Sequence, residues 1–517
     1  MSNHENHDTV DVLIAGAGAA GLVLALDLAR RGVRFRLIDK LETPFAGSRG
    51  KGIQPRTMEI FEDLGVLDDM FAKGGVYPPV RSYDGDSVKA SAIHEQRQPT
   101  PAEPYVTALM LPQWRTEEIL RVHLLAAGHA PEFGTELVGF KQDADGVTAE
   151  LNTPSGAQQV RARFLIGTDG GRSFVRRALE IDFAGISTPL RAMVADLRID
   201  KLSRDAWHQW PKAEGGHLAL CPLSGTDTFQ MTAQLAEGEE PDLSDDNILR
   251  IIRQRSGNAD IVLHKPIWRS VFGVSARLAE RYRVGRVFIA GDAAHIHPPT
   301  GGQGLNTSIQ DAYNLGWKLA AVVHDAPDAL LDTYEEERRP IAAGMLEMSM
   351  AYLKAMREKQ DMKRGRDTLQ LDLTYRNSSL TEKSPGATDV LQAGDRAPDA
   401  VLHDAQGGTV RLFDVLKGPH FTLLAYETEM PAFHGLCEGA KLTSKTVAAA
   451  DTGTGADLVD SENHLRDAYG LSAGQLLLVR PDGYVAMVAD AKESEAVSAY
   501  LARWLEGISR ADHSPAA

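Results

Sequence analysis

The residues with the clearest chemical potential lie between positions 286 and 306, in the segment RVFIAGDAAHIHPPTGGQGLN. The apolar run 287–290 predicts a strand buried on both faces, and Asp292 places a carboxylate at its carboxyl end, where open α/β sheets bind ligands. Residues 298–304 form a proline- and glycine-rich turn whose bare backbone a flat ligand can approach. Apolar spacing over 305–323 predicts a helix whose positive end faces that turn. These features predict a site for a planar, partly anionic ligand, and a flavin fits that description.

A second glycine-rich turn opens the chain. An apolar run at 10–15 predicts a buried strand, and a GxGxxG turn, a helical run and a second strand closing on an acid follow it. The turn contains Gly16, Gly18 and Gly21, and the acid is Asp39. In this βαβ fingerprint the glycines let the backbone approach a pyrophosphate, and the acid holds an adenosine ribose hydroxyl. The motif predicts a bound dinucleotide without separating FAD from NAD.

Three further segments contain candidate contacts. Arg49 lies among glycines in the stretch 48–57 and is a cation suited to a pyrophosphate or ribose, whereas Lys51 is interpreted as a solvated surface side chain. Gln113 precedes an amphipathic helix and is a candidate cofactor contact. Asp169, in GTDGGRS, is a second acid at a strand end, and it also suits the N-cap of the next helix. A cofactor contact and a helix-capping role for Asp169 are compatible.

These elements must be positioned by an α/β unit combined with a β-rich unit. At 517 residues the chain exceeds what one core usually supports, and residues 186–280 alternate apolar and polar positions in short runs. Because the glycine-and-acid turns are far apart in sequence, their convergence requires an interleaved topology. The predicted division is a Rossmann-like dinucleotide-binding domain (1–75, 105–185 and 281–365), a β-sheet substrate domain (76–104 and 186–280), a linker (366–390) and a compact C-terminal α/β domain (391–517).

Composition narrows the possible partners. The net charge of −16 argues against nucleic acid and against an anionic membrane surface. The two cysteines, Cys221 and Cys437, lie far apart and in no metal-ligand spacing, so we expect neither a metal site nor a disulfide framework. No leader pattern and no apolar run long enough to span a bilayer is visible, so we expect a cytoplasmic location.

The three motifs GAGAAG, GTDGGRS and GDAAHIHPPTGGQGLN, together with residues 48–57 and Gln113, resemble the fingerprints of class A flavoprotein aromatic hydroxylases. These are FAD- and NAD(P)H-dependent monooxygenases of the para-hydroxybenzoate hydroxylase type. The chain is most similar to the larger members, such as phenol hydroxylase, the tetracycline- and rifampicin-modifying monooxygenases and the angucycline hydroxylases. The resemblance covers essentially the whole chain.

The resemblance implies a set of site residues. Pro298 and Arg49 are the candidate catalytic residues, and Asp39 stands where the family usually has Glu. His295 and His297 are interpreted as structural hydrogen-bonding groups rather than as a catalytic base. The implied cofactor contacts are Gly16, Gly18, Gly21, Asp39, Lys40, Arg49, Gln113, Asp169, Gly291, Asp292, Pro298, Gly301, Gly302, Gly304, Leu305 and Asn306.

The resemblance also implies the chemistry. It predicts hydroxylation of a phenolic or polyketide-like aromatic substrate through a flavin C4a-hydroperoxide, with O2 and NADPH or NADH as co-substrates, in a monomer or homodimer. A Baeyer–Villiger or epoxidising reaction on the same fold is the alternative, and a non-catalytic flavin- or ligand-binding protein is a third hypothesis. The C-terminal domain resembles the thioredoxin-like domain of the phenol hydroxylase branch. Because it lacks C-x-x-C, we expect it to have a structural or assembly role.

Overall fold

The computed structural model describes residues 8–358, 364–382, 390–431, 442–449 and 455–505. Its α-helices are α1 (Ala19–Arg30), α2 (Pro55–Asp63), α3 (Leu67–Lys73), α4 (Gln113–Ala126), α5 (Phe174–Ala178), α6 (Asp245–Ser256), α7 (Gly304–Val323), α8 (Asp332–Arg357), α9 (Leu412–Leu416), α10 (His464–Tyr469) and α11 (Ser494–Leu505).

The strands of the amino-terminal half are β1 (Asp8–Ala15), β2 (Phe35–Asp39), β3 (Gly52–Ile53), β4 (Val80–Asp84), β5 (Ser87–Ser91), β6 (Leu109–Met110), β7 (Glu132–Phe133), β8 (Glu136–Gln142), β9 (Val147–Thr153), β10 (Gly156–Gly167), β11 (Phe183–Leu197), β12 (Ile199–Asp200), β13 (Trp207–Trp210), β14 (Leu218–Pro222) and β15 (Phe229–Gln234). Those that follow are β16 (Val262–Leu263), β17 (Trp268–Ala279), β18 (Arg283–Val284), β19 (Val287–Ile289), β20 (His295–Ile296), β21 (Val401–Asp404), β22 (Thr409–Arg411), β23 (Phe421–Tyr426), β24 (Leu442–Ala448), β25 (Leu458–Val459), β26 (Gln475–Val479) and β27 (Val485–Asp490).

The first sheet collects strands that are far apart in the chain. Its order is β18-β19-β10-β1-β2-β7, with β8 and β9 paired beyond β10, and β19, β10, β1, β2 and β7 run parallel. The apolar runs of β1 and β19 are buried, because helices such as α1 and α7 cover the sheet. The carboxyl ends of β1, β10 and β19 therefore meet at one edge. This is the interleaved topology that the sequence predicts.

The second sheet, β20-β17-β11-β15-β14-β13-β4-β5, is antiparallel except where β13 pairs with β4. It combines strands from residues 186–280 with β4 and β5 from residues 76–104, and it also includes β20 and the start of β11, which lie outside those ranges. The helix α6 within the insert was not predicted. Its signals were local: the Ser244 hydroxyl accepts from the Asn247 N–H at 3.3 Å, and Gly257 ends the helix with φ of +69°.

The C-terminal sheet has the order β22-β21-β25-β24-β23-β26-β27, in which β25, β24 and β23 are parallel and β26 and β27 are antiparallel. One face packs against the first unit, where the rings of Trp317 and Phe421 lie 5.7 Å apart edge to face. The other face has its own apolar cluster. The thioredoxin-like assignment stays a prediction, and Cys437 lies outside the described residues.

The segment predicted as a linker, 366–390, is not an exposed spacer where the structure describes it. Leu369, Tyr375 and Leu380 are buried, and the Gln310 amide donates to the Gln370 side chain at 2.6 Å. The polar composition of this segment masks apolar residues placed at intervals, and these residues are buried in the folded structure. This correction makes the segment part of the folded core.

A buried ionic cluster ties the C-terminal sheet to α7 and α8. Glu337 accepts from Arg480 at 2.6 Å and from the Lys318 ammonium at 2.7 Å. Arg480 also pairs with Asp482 at 2.6 Å, and the Trp317 indole donates to the same carboxylate at 3.1 Å. All these side chains are almost fully buried. Because each charge has an opposite partner, the cluster holds the turn between β26 and β27 against the helix that begins at the glycine turn.

Candidate functional site

The turn that contains Gly16, Gly18 and Gly21 is in direct contact with the turn that begins at Thr168. The Thr168 hydroxyl donates to the Gly16 carbonyl at 2.7 Å, and a Cβ on Gly16, whose φ is +115°, would overlap the Thr168 carbonyl. A Cβ on Gly21 would overlap the Gly16 carbonyl in turn. Gly18 differs, since its Cβ would meet no atom nearer than Glu117 Oε1 at 3.8 Å. Gly16 and Gly21 are thus needed for packing, and Gly18 leaves backbone open to a ligand.

The predicted ribose acid is fixed beside this turn. Asp39 lies at the end of β2 and accepts hydrogen bonds from the backbone N–H groups of Ala17 at 2.8 Å and Leu41 at 2.9 Å. Each carboxylate oxygen retains capacity for a second donor, such as a ribose hydroxyl. Lys40, the adjacent predicted contact, is exposed.

Ser173, not Asp169, occupies the N-cap position of α5, but Asp169 accepts from the first two N–H groups of that helix and keeps an oxygen free. Its Oδ2 accepts from the N–H of Phe174 at 2.6 Å and of Val175 at 3.1 Å. Its Oδ1 is buried and has no partner among the described residues. Buried carboxylate oxygens usually have a hydrogen-bond donor, so Asp169 Oδ1 is free to accept from a ligand.

Asp292 and Arg49 come close together although they are far apart in sequence. Asp292 lies in the 3-10 turn Gly291–Ala293, and its side chain is exposed at the surface of the site. The surrounding protein nevertheless desolvates it and raises the pKa of its carboxyl, against the opposing charges of His295 and Arg49. The Arg49 guanidinium lies 4.9 Å from the centre of the Phe45 ring. The Arg49 guanidinium therefore lies near enough to Asp292 to act on its carboxylate electrostatically.

The stretch around Arg49 lies against the start of α7. The Leu305 side chain packs closely on Gly50, since a Cβ at Gly50 would lie 3.1 Å from Leu305 Cδ2. The Gly50 N–H donates to Gln113 Oε1 at 3.1 Å. The Asn306 amide donates to the Gly52 carbonyl at 2.9 Å. Three of the predicted contact residues thus meet at one place.

The turn before α7 has the bare backbone that the sequence predicts. Pro298 is buried, and Gly301 and Gly302 have φ of +83° and +70°, conformations that favour glycine. A Cβ on Gly304 would lie 3.7 Å from the His297 side chain. No side chain caps the described N-terminus of α7, so its N–H groups and positive end remain available to an anionic ring edge.

The two histidines form a buried chain of hydrogen bonds. His295 Nε2 lies 2.6 Å from Asp311 Oδ2, and His297 Nε2 lies 3.0 Å from His295 Nδ1. Arg338 donates to the other Asp311 oxygen at 2.8 Å. Burial lowers the pKa of His297 to about 3, so this ring is neutral at physiological pH. The arrangement agrees with the structural interpretation of both histidines.

The sequence interpretation is wrong for Lys51 and does not include Glu117, although both residues lie near the site. Lys51 is not solvated: its ammonium donates to Gln230 and lies 4.4 Å from the centre of the Trp207 ring. Glu117 was not singled out, although its position four residues after Gln113 places both on one face of α4. The Gln113 amide donates to Glu117 at 2.9 Å, and burial raises the pKa of Glu117 to about 7.

No group of three or more His, Cys, Asp or Glu side chains in the described part of the chain is arranged to hold a metal ion. No helix in that part of the chain combines the length and apolarity needed to cross a membrane.

The chain is similar in sequence to known families and proteins over most of its length. The family described as FAD binding domain matches residues 9–349, and the family described as aromatic-ring hydroxylase, C-terminal matches residues 391–507. A flavin-dependent monooxygenase of Mycobacteroides abscessus is 41% identical over 95% of this chain and 99% of its own length. The 6-methylpretetramide 4-monooxygenase of Streptomyces rimosus is 34% identical over 93% of this chain and 90% of its own.

A solved structure shows the same fold. The ternary complex of aklavinone-11 hydroxylase with FAD and aklavinone superposes with a TM-score of 0.82 and 29% identity, over 98% of this chain and 100% of that chain. The chain belongs to the family of FAD-dependent aromatic-ring monooxygenases. It is a flavoprotein monooxygenase. The residues present fit FAD, since Gly18 leaves the turn open and Asp169 retains an unpaired buried oxygen.

Proposed function

We propose that this enzyme hydroxylates a polycyclic, polyketide-like phenol, using FAD, O2 and NADPH or NADH. The meeting of three glycine-and-acid turns at one edge of the first sheet is the observation that carries the proposal. Two of the relatives support the substrate class: their names give 6-methylpretetramide and aklavinone, both polycyclic aromatic compounds, as the molecules on which they act or which they bind.

The predicted contacts divide the cofactor among the three turns. Gly18 would leave the backbone open to the pyrophosphate, Asp39 would accept from the adenosine ribose, and Asp292 would accept from the ribityl chain. The turn at 301–304 and the positive end of α7 would stabilise negative charge on the cofactor ring. When bound, FAD supplies the redox chemistry, accepting a hydride from the nicotinamide and activating dioxygen.

The protein's own contribution is orientation and exclusion of water. Pro298 and the glycine turn would provide a rigid surface for the cofactor ring, and Arg49 would supply a positive charge beside it. The strands of the second sheet would cover the other side of the site and exclude water from it. His297 is neutral and hydrogen-bonded to His295, so it positions the turn rather than transferring a proton.

We infer the same division of the chain as the sequence predicts. The FAD-binding domain comprises 1–75, 105–185 and 281–365, the substrate domain comprises 76–104 and 186–280, and the thioredoxin-like domain begins at 391. The described part of the segment 366–390 belongs to the core rather than to a spacer. A single-component enzyme needs no partner protein, and a monomer or a homodimer both suit it.

Substrate-stimulated consumption of NAD(P)H tests the proposed function. Purified, FAD-loaded enzyme is mixed with a panel of simple phenols and polycyclic aromatic polyketides, and NADPH and NADH oxidation are followed separately. The proposal predicts stimulation by polycyclic phenols and a product that has gained one oxygen atom with its ring connectivity intact. A product with an expanded ring would instead support Baeyer–Villiger oxidation, and oxidation that no aromatic compound stimulates would contradict both.

A further inference from the structure

Glu117 lies beside Gly18, on the side of the GAGAAG turn that is open to a ligand. The side chain is buried one helical turn after Gln113 on α4, and its Oε1 lies 3.8 Å from the point that a Cβ on Gly18 would occupy. The N–H of Ala19, the first residue of α1, also bonds its carboxyl. Glu117 therefore places an acidic group at the helix N-terminus that a dinucleotide-binding turn offers to a pyrophosphate.

Gln113 fixes the direction of the Glu117 carboxyl. The Gln113 Oε1 accepts from the Gly50 N–H at 3.1 Å, so the amino end of the same amide is the end that faces Glu117, to which it donates at 2.9 Å. Because Gln113 is held from both sides, the Glu117 carboxyl would lose this hydrogen bond if it turned away from the GAGAAG turn. The acidic group is thus built into the site.

The surroundings of Glu117 balance its neutral form against its charged form. Burial raises its pKa to about 7, and the charge of Asp39, at the end of β2, acts in the same direction. The hydrogen bonds from Gln113 and from the start of α1 oppose this change, as does the charge of Arg121 on α4. Arg121 is shared with Glu118, the next acid on the helix. Without a ligand, about half of the Glu117 side chains are therefore ionised at pH 7.

A pyrophosphate beside Gly18 shifts this balance towards the neutral carboxyl. Its two phosphate groups each carry a negative charge near neutral pH, and a nearby like charge disfavours the ionised form of a carboxyl. A neutral carboxyl has an O–H group, which can donate to an anionic phosphate oxygen. One proton on Glu117 thus removes a repulsion and supplies a hydrogen-bond donor.

We propose that Glu117 is a cofactor-binding residue that takes up one proton from solvent as FAD binds and then faces the pyrophosphate as a neutral hydrogen-bond donor. This inference rests on the proposed function, which assigns the GAGAAG turn to the pyrophosphate. It requires that FAD binds more tightly as the pH falls from about 8 to about 6, although the pyrophosphate itself does not titrate in this range.

The pH dependence of FAD affinity tests the proposal without turnover. Apoprotein of the wild type and of Glu117→Gln is titrated with FAD at pH 6, 7 and 8, and Kd is read from quenching of flavin fluorescence. The wild-type Kd should rise about 10-fold from pH 6 to pH 8, because about nine-tenths of the free carboxyl is ionised at pH 8 and must be protonated. Glutamine is neutral and keeps an N–H donor, so Glu117→Gln should match the wild type at pH 6 and bind about 10-fold more tightly than the wild type at pH 8.

Two controls isolate this residue. Glu118→Gln removes a carboxylate from the next position of α4, where the side chain is 45% exposed, and should keep the wild-type pH dependence. Burial also raises the pKa of Asp292, but Asp292 is present in both proteins, so its contribution cancels when Glu117→Gln is compared with the wild type.

Proton uptake provides a direct measurement that needs only the wild type. A pH indicator in weakly buffered solution should report about 0.9 proton taken up per FAD bound at pH 8 and about 0.1 at pH 6. A wild-type Kd that is constant over this pH range, or FAD binding at pH 8 without proton uptake, would overturn the proposal and leave FAD binding itself intact. An equal loss of affinity at pH 6 and pH 8 in Glu117→Gln would also overturn it, because the carboxyl would then only support the turn. A protein that takes up no FAD at any of these pH values would contradict the proposed function and this inference with it.

Discussion

Replacing Gly18 by alanine separates the ligand-facing glycine of the first turn from its structural neighbours. Gly18 has φ of −74°, which any residue adopts, and its Cβ would lie no closer than 3.8 Å to another atom. The apoprotein should therefore fold normally, with a gain of about 0.4–1 kcal/mol in unfolding free energy because the unfolded chain is restricted. The added methyl group projects into the space left for the pyrophosphate. We expect FAD affinity to fall by about 10- to 100-fold, which corresponds to overpacking of about 1–3 kcal/mol.

Gly16→Ala provides the matched contrast. Its φ of +115° and its contact with the Thr168 carbonyl leave no room for a methyl group, so this variant should lose stability by about 1–3 kcal/mol even without cofactor. Denaturant unfolding of both apoproteins gives the stability change, and quenching of FAD fluorescence on titration gives Kd. A Gly18→Ala protein that binds FAD as tightly as the wild type would refute the assignment of this turn to the pyrophosphate.

Three further changes test separate parts of the site and its support. Asp292→Ala should reduce FAD affinity by about 10-fold or more through loss of a charged acceptor, and a variant that purifies fully yellow would contradict its role. Glu337→Gln leaves Arg480 and Lys318 without their shared partner and should reduce the unfolding free energy by about 3–5 kcal/mol, whereas an unchanged urea midpoint would show that the cluster is not coupled to folding. Burial raises the pKa of Glu117 from 4.5 to about 7, so the folded state binds the proton more tightly than the unfolded state, and stability falls as the pH rises from about 4.5 through 7. Glu117→Gln should remove up to about 3 kcal/mol of that pH dependence. Identical pH profiles of the unfolding free energy for the variant and the wild type would contradict the assigned shift.

The glycine turns were predictable because their signals are local. A buried apolar run, a glycine that needs positive φ and an acid at a strand end are all readable within a few residues, as at Gly16 and Asp292. The convergence of these turns was also predictable, because each turn follows the carboxyl end of a strand and the carboxyl ends of parallel strands meet at one edge of a sheet. The parallel pairing of β1 with β10 and of β10 with β19 confirms that reasoning.

The features that the sequence did not reveal depend on contacts between distant segments. Lys51 has the composition of a surface loop, and only the packing of that loop against Gln230 and Trp207 makes it a desolvated cation. Arg364 lies in a polar stretch whose approach to Gly302 is fixed by pairing with a strand-like segment near His94. Tertiary contacts of this kind leave no periodic pattern, so the surroundings of Lys51 and Arg364 became visible only in the fold.

Titration of the purified apoprotein with FAD tests most directly whether the three turns form one cofactor site. The account predicts saturation at one FAD per chain, with quenching of flavin fluorescence and a bound flavin absorption spectrum. A colourless protein that takes up no FAD over the titration would contradict the convergence of the turns on a flavin, and with it the assignment of the residues that line the site.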